Sequence, residues 1–214
     1  MDTMSRDSRF WDRIAQKYAA DPIADMVGYE RTLEATRNSF RNDMAAYEFG
    51  CGTGTTALRL APSIAQITAT DISPNMISIA RDKATAQGIG NVRFEVGTPE
   101  KAPYPSDSFD IALGFNVLHL MAARAEALRG VYRLLKPGGL FISKTPCLTE
   151  MGIVVRLAIP LAQAVGQAPS VAFFSEQELV REIEAAGFTI VENARHGAKA
   201  KDMRCFLIAK KAGN

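Results

Sequence analysis

Tyr47-Glu48-Phe49-Gly50-Cys51-Gly52-Thr53-Gly54 reads as a short apolar strand that meets a carboxylate and turns through three glycines at alternate positions. A helix opens at Thr55 and runs to about residue 61, where Pro62 ends it. The first strand-to-helix turn of an open α/β sheet is where such folds bind nucleotides. Glycine reaches positive φ freely and carries no side chain to hold a ligand away. Three of them in one turn predict a backbone that wraps closely around a bound group. Downstream, Ile67-Thr68-Ala69-Thr70-Asp71 reads as a second short strand ending in a lone acid. A carboxylate at that tip can accept both hydroxyls of a ribose. Loop and acid together point to a ligand with an adenosine end.

The spacing inside the loop narrows the choice. A dinucleotide fingerprint is G-x-G-x-x-G, which would put glycine or alanine where Thr55 stands. A phosphate-binding P-loop ends in Gly-Lys-Ser/Thr, and no lysine lies between Glu48 and Lys83. A ligand with an adenosine end and an amino-acid end fits G-x-G-x-G better.

The rest of the chain repeats the strand–helix rhythm. Residues 8 to 20 read as a helix with Phe10, Trp11, Ile14 and Tyr18 near one face, stopped by Asp21-Pro22, and a second helix covers about 27 to 40. Ser73-Pro74 is a helix start, with Ser73 as N-cap and proline in the first turn; that helix runs to about Ala86 and ends at Gly88. Strands follow at Val92 to Val96 and at Phe109 to Gly114, then a helix from Ala123 to Leu135 stopped by Pro137-Gly138-Gly139, then a strand from Leu140 to Lys144. Five alternations imply a parallel sheet with right-handed crossovers. The tail breaks the rhythm. Ser175 and Glu178 form a capping box for a helix to Ala186, with Gly187 beyond it. Phe188 to Glu192 and Arg204 to Ala209 are two strands joined by a connection too polar to be a crossover helix, which predicts an antiparallel pair at the sheet edge.

Composition sets outer bounds. The 214 residues are 47% hydrophobic and 22% charged with a net charge of +2, as expected of one well-cored globular domain. So small a charge argues against nucleic acid as a partner. Cys51, Cys147 and Cys205 are scattered, without the paired spacing of a metal site. The first ten residues are charged and lack an apolar signal-peptide core. Reduced thiols in a cytoplasmic protein, and no metal, are the expectation.

With these motifs in view, the chain resembles the class I S-adenosylmethionine-dependent methyltransferases, and within them the small-molecule group related to the ubiquinone/menaquinone biosynthesis methyltransferases. The resemblance covers residues 40 to 145 well and the rest loosely. It implies S-adenosylmethionine as cofactor and a Rossmann-like, mostly parallel seven-stranded sheet. The last strand would run antiparallel, helices would cover both faces, and N-terminal helices would form a cap. It divides a single domain into a cap (1–42), a cofactor-binding core (43–145), an acceptor-side insertion (146–175) and a last helix with its strand pair (176–214).

The resemblance also assigns residues. Gly50, Cys51, Gly52 and Gly54 form the cofactor loop. Glu48 stands where the family carries an acid, facing the loop or the cofactor's amino group; otherwise it is a solvated strand end. Asp71 is the ribose acid, or a cap for the helix after it. Ile72 lies against the adenine face, or in the core. Gly97-Thr98-Pro99-Glu100 departs from the family's Gly-Asp-Ala-Glu: Thr98 can accept one hydrogen bond without charge, and Pro99 has no N–H to donate. Asn116 sits past the fourth strand, where its backbone would hold the methionine amino group, or it caps a helix. Val117 and Leu118 do not match the Asn/Asp-Pro-Pro-Tyr/Phe run of enzymes that methylate base amines. Tyr18, on a lid helix, touches the cofactor or packs in the core. His119 follows the same strand and is either the proton acceptor for methyl transfer or a packed or surface histidine.

Residues 151–174 hold one charge, Arg156, and are broken by Pro160 and Gly166. They are too interrupted for a membrane span. They read as an apolar wall for an apolar or amphiphilic small-molecule acceptor, with transient contact to a membrane surface, or as an ordinary helix pair. Two other functions stay open: a non-catalytic S-adenosylmethionine-binding regulatory or assembly module, and a nucleotide-dependent oxidoreductase.

Overall fold

A computed structural model describes residues 3–150, 163, 168–198 and 202–213. Two helices, α1 (Thr3–Ala20) and α2 (Met26–Arg37), precede the sheet. The alternating part then runs β1 (Ala45–Phe49), α3 (Thr55–Leu60), β2 (Gln66–Asp71), α4 (Pro74–Ala86), β3 (Val92–Val96), β4 (Phe109–Phe115), α5 (Arg124–Leu134) and β5 (Leu135–Pro146). The chain closes with α6 (Glu176–Ala185), β6 (Phe188–Ala194) and β7 (Arg204–Lys211). The seven strands lie in the order β3-β2-β1-β4-β5-β7-β6. Pairings among β1 to β5 are parallel, and β7 is antiparallel to both neighbours. This is the expected Rossmann-like sheet with its antiparallel tail.

Alternation along the strands loads both faces of the sheet. Tyr47, Phe49 and Phe141 point into one cluster with Leu128 and Val131 of α5 and Leu179 and Ile183 of α6. Ala46, Ile111 and Ile142 point into the other, with Leu33 of α2, Leu58 of α3 and Ile77 of α4. Helices therefore cover both faces.

Local signals explain most element ends. Ser73 Oγ accepts from Met76 N at 3.1 Å, the N-cap bond of α4, and Pro74 fills the first turn. The capping box at Ser175 and Glu178 is complete. Gly88 and Gly187 both take positive φ where α4 and α6 end. α2 ends three residues early and β5, β6 and β7 run past their expected ends; three other differences are more telling. α1 begins at Thr3. α3 passes into a 3-10 turn over Ala61–Ser63, so Pro62 lies inside a turn of helix instead of stopping one. The third is at α5, which ends at Leu134 without using Pro137-Gly138-Gly139; Leu135 already pairs with Phe109, and the strand runs through the Pro-Gly-Gly with a register irregularity. The carbonyls that a glycine cap would have served are taken from outside. Asp107 N and Ser108 N donate to Arg133 O and Leu134 O, and Lys211 Nζ donates to Tyr132 O and Leu135 O.

Of the stretch 151–174, residues 151–162 and 164–167 lie outside the described residues, and with them most of the expected apolar wall. The described part is threaded between other elements: Ser170 N donates to Asp7 Oδ1, Ala172 N donates to His119 O, and Phe174 is buried. Among the described residues no helix is long and apolar enough to cross a membrane.

α5 packs unusually close to the 3-10 turn Pro99–Lys101 that follows β3. A Cβ on Gly130 would lie 2.6 Å from the carbonyl of Pro99. Gly130→Ala should therefore lower stability, although alanine favours a helix over glycine by about 1 kcal/mol. Overpacking costs about 1–3 kcal/mol, a net loss of up to about 2 kcal/mol, so Tm should fall by up to roughly 8 °C in a circular dichroism melt. A rise in Tm would show that the contact gives way freely.

Candidate functional site

Strand order reverses between β1 and β4, both of which start connections that leave in opposite directions. Ligands of open α/β sheets bind at such a switch point, outside the carboxyl ends of the strands. A cleft of about 540 Å³ lies there, between the strand tips, α1 and α2. Glu48, Gly50, Cys51, Gly52, Asp71, Ile72, Thr98, Pro99, Asn116 and Tyr18 all line it. Gly54 does not line it.

The three loop glycines all have positive φ, at 64°, 53° and 75° for Gly50, Gly52 and Gly54, but they serve different ends. A Cβ on Gly50 would lie 2.3 Å from Val117, and one on Gly54 would lie 2.7 Å from the Phe94 ring and 2.8 Å from Ala80. Those two let neighbours pack close. Gly52 instead opens on the cleft, where the nearest atom to a Cβ would be Tyr18 Cε1 at 3.6 Å. Cys51 N donates to Thr70 O at 3.0 Å, and burial raises its thiol pKa well above the usual range.

Asp71 holds two turns at once. Its Oδ2 accepts from Gly52 N and its Oδ1 from Ser73 N, both at 2.9 Å. Burial raises its pKa, while these backbone bonds pull the other way. Glu48 is 2% exposed and its Oε2 has no hydrogen-bond partner. Burial first, and the Asp71 charge second, push its pKa up to about 8. Thr98 Oγ1 is likewise buried without a partner. A buried polar atom without a hydrogen-bond partner is costly unless a ligand completes it. These orphaned atoms and the open cradle at Gly52 fit a cofactor carrying a cation at Glu48 and a hydrogen-bonding base at Thr98.

Asn116 takes φ 53°, uncommon for a residue with a side chain and found where a site is held in a fixed shape. Its amide is already spent, donating to Lys144 O at 2.7 Å. Of the two backbone groups expected to meet a ligand amine, its carbonyl remains, and Asn116 caps no helix. Ile72 lines the cleft, and its carbonyl accepts from Ser8 Oγ at 2.9 Å.

Of the two readings of His119, proton acceptor or packed histidine, its position fits the packed one, and it does not line the cleft. It sits in the 3-10 turn Leu118–Leu120, and its Nδ1 lies 3.2 Å from Thr145 Oγ1 on β5. Val117, Leu120 and Met121 line the cleft in its place. Burial lowers its pKa to about 4, which makes it a poor base at neutral pH.

The far end of the cleft holds residues the sequence did not single out. Lys144, 4% exposed near the end of β5, donates to Thr32 Oγ1 at 2.9 Å and lies 3.7 Å from Asp202 Oδ2. Arg204 pairs with Asp25 and Asp202, each at 2.9 Å. Burial, then Arg204, lower the pKa of Lys144. A lone lysine inside an apolar strand was the available signal, since lysine is almost never buried unless paired. Lys83 was also passed over: from α4 it reaches the outer edge of the glycine turn, 2.9 Å from Thr53 Oγ1.

Residues 47–143 match the methyltransferase domain family. The chain is 35% identical over 102 residues to the uncharacterized methyltransferase YcgJ of Bacillus subtilis, an alignment covering 48% of this chain and 40% of that protein. It is 27% identical over 146 residues to the demethylmenaquinone methyltransferase of Geobacillus kaustophilus, covering 64% and 61%. The chain thus spans between two fifths and three fifths of the length of these two relatives. The crystal structure of YcgJ superposes with a TM-score of 0.71 at 21% identity, covering 86% of this chain and 100% of that one. A SAM-dependent methyltransferase from Methanosarcina mazei superposes with a TM-score of 0.68 at 21% identity, covering 84% and 98%. Both likenesses bear on the fold. Residues 47–143 are thus similar to a methyltransferase domain, in a fold that these solved structures share.

Proposed function

We propose that this protein transfers the methyl group of S-adenosylmethionine to a small organic acceptor. The observation that carries the reading is the cleft at the switch point, where two buried polar atoms, Glu48 Oε2 and Thr98 Oγ1, face a glycine turn without partners. When bound, S-adenosylmethionine supplies a methyl group made electrophilic by its sulfonium. The chain's own residues do the rest. Asp71 accepts the ribose hydroxyls, Thr98 meets the adenine edge and Ile72 its face. Glu48 and the Asn116 carbonyl receive the amino group. Gly50, Cys51 and Gly52 let the backbone approach, Gly54 sets the packing behind them, and Tyr18 closes over the turn. Orienting an acceptor against a fixed donor in a dry cleft contributes about 7–11 kcal/mol, so no metal and no nucleophilic side chain is required.

The acceptor side follows from the remaining walls. Leu120, Met121 and Ile23 offer apolar surface, and Lys144 a polar end. An amphiphilic acceptor with an apolar body suits that mixture, and the demethylmenaquinone named for the Geobacillus relative is of this general kind. His119 is left without a role in proton transfer, because its ring is turned to Thr145.

Calorimetry with S-adenosylmethionine and with NAD tests the cofactor; binding of NAD alone would overturn the assignment. Labelled methyl uptake from a metabolite pool tests transfer, and cofactor binding without any uptake would favour the non-catalytic module. Asp71→Ala should weaken cofactor binding by about 10²-fold or more, since charged hydrogen bonds are worth about 1.5–3 kcal/mol each. An unchanged Kd in the folded variant would remove Asp71 from the site.

Glu48 sets a pH dependence. With a pKa near 8 it is mostly protonated at pH 7 in the free protein. A ligand ammonium favours its ionised form, so binding at pH 7 should release close to one proton. Affinity should then rise from pH 6 to pH 7.5, by at most about tenfold per unit. Calorimetry in buffers of different ionisation enthalpy measures the proton count, and Glu48→Gln should abolish it. Equal proton release from the variant would assign the proton elsewhere.

A further inference from the structure

Cys147 and Cys205 stand 58 residues apart in sequence, yet the antiparallel pairing of β5 with β7 brings them together. Cys147 follows the last residue of β5, and Cys205 is the second residue of β7. The ladder pairs Thr145 with Cys205 and Pro146 with Arg204, and Cys147 N donates to Met203 O at 3.0 Å just beyond it. Side chains two positions apart across such a ladder share one face of the sheet. The two sulfurs lie 3.4 Å from each other, and both residues are fully buried in the core cluster that holds Phe174 and Leu179.

A buried cysteine ordinarily packs as a small apolar residue. Cys205 has more than packing around it. Its Sγ meets the sulfur of Cys147 and, at 3.6 Å, the carbonyl of Thr145. The hydrogen bond from Cys147 holds the Cys205 thiol below its ordinary pKa, and the charge of Arg195 acts in the same direction, while burial and Glu176 oppose them. One thiol is thus biased toward the thiolate, which is the nucleophilic form, with a second thiol already touching it. Cys51 is the contrast: burial raises its pKa well above the usual range, and its Sγ reaches the Gly52 carbonyl at 3.7 Å.

We propose that Cys147 and Cys205 are a redox-active dithiol that hydrogen peroxide, or another two-electron oxidant of that size, converts to a disulfide joining β5 to β7. The Cys205 thiolate attacks one peroxide oxygen, the O–O bond breaks, and the departing hydroxide takes a proton from solvent and leaves as water. Cys205 is then a sulfenic acid. The sulfur of Cys147 attacks that of Cys205, the S–O bond breaks, and the hydroxyl leaves with the Cys147 proton as a second water. Two thiols lose two hydrogens, and one peroxide becomes two waters. Side-chain rotation closes the remaining gap to an S–S bond of about 2.05 Å. The pair sits at the end of its ladder, where strands open locally more readily than at mid-sheet, and peroxide is scarcely larger than water. Lys144 and Arg204, which line the far end of the cleft, are close neighbours of the pair along β5 and β7. The disulfide therefore fastens that end and leaves the tips of β1 to β3 untouched.

The chain has three cysteines, so oxidation can be counted. After peroxide treatment, quenching and unfolding, titratable thiols should fall from three to one, and dithiothreitol should restore all three. Peptide mapping without reductant should join Cys147 to Cys205. Cys147→Ser should form no bridge and should leave Cys205 as a sulfenic acid that dimedone traps. The oxidised protein should melt about 4 °C or more above the reduced one. Its Thr145, Cys147 and Cys205 amides should exchange more slowly, with β1 and β2 amides unchanged. Three thiols surviving treatment, a mapped bridge to Cys51, or Cys205 oxidised past the sulfenic acid beside an intact Cys147 would each overturn the dithiol. A bridged protein with unchanged Tm and exchange would overturn the fastening of the cleft end. Should Cys147→Ser not fold, thiol counting and mapping on the wild-type chain decide alone. No readout uses a cofactor, so the outcome stands apart from the methyl-transfer reading.

Discussion

The carboxylate of Asp71 accepts from the amides of Gly52 and Ser73, and much of the surrounding geometry follows from that pair of bonds. Gly52 belongs to the turn after β1, and Ser73 begins the helix after β2. One acid thereby sets the distance between two turns that belong to different βα units. A side chain on Gly52 would intrude on the cleft, and loss of the acid would leave two backbone amides without acceptors in a mostly buried place. The same carboxylate that lines the cleft also fastens the local architecture.

Glu48 shows the opposite balance. It lies one strand away, more deeply buried, with one oxygen unpartnered and its pKa pushed up to about 8. Asp71 has backbone donors to support its charge, and Glu48 lacks them. Burial raises the pKa of both acids, but only Asp71 has backbone donors that pull the other way, which places the demand for a positive ligand group at Glu48.

Local signals made the fold readable. The glycine turn, the Ser73-Pro74 start, the Ser175 capping box and the change of rhythm before β6 each depend on residues within a few positions of one another, and each appears where expected. The α5–β5 junction was not readable, because its carbonyls are met by Lys211, far along the chain. The cleft residues divide in the same way. Residues at strand tips were legible, since topology alone brings strand ends together. His119 stayed open between two readings because the partner that packs it, Thr145, lies on another strand. Lys144 was missed because its partner, Thr32, lies far from it in sequence.

The reversal of strand order between β1 and β4 has a consequence for how such a protein diversifies. The tips of β1, β2 and β3 supply Glu48, Asp71 and Thr98, while the tips of β4, β5 and β7 supply Asn116, Lys144 and Arg204. The two sets leave the sheet on opposite sides of the switch and share few hydrogen bonds. Drift on one side is therefore screened from the other. The residues around Lys144 can thus change while the turn built on Asp71 stays intact.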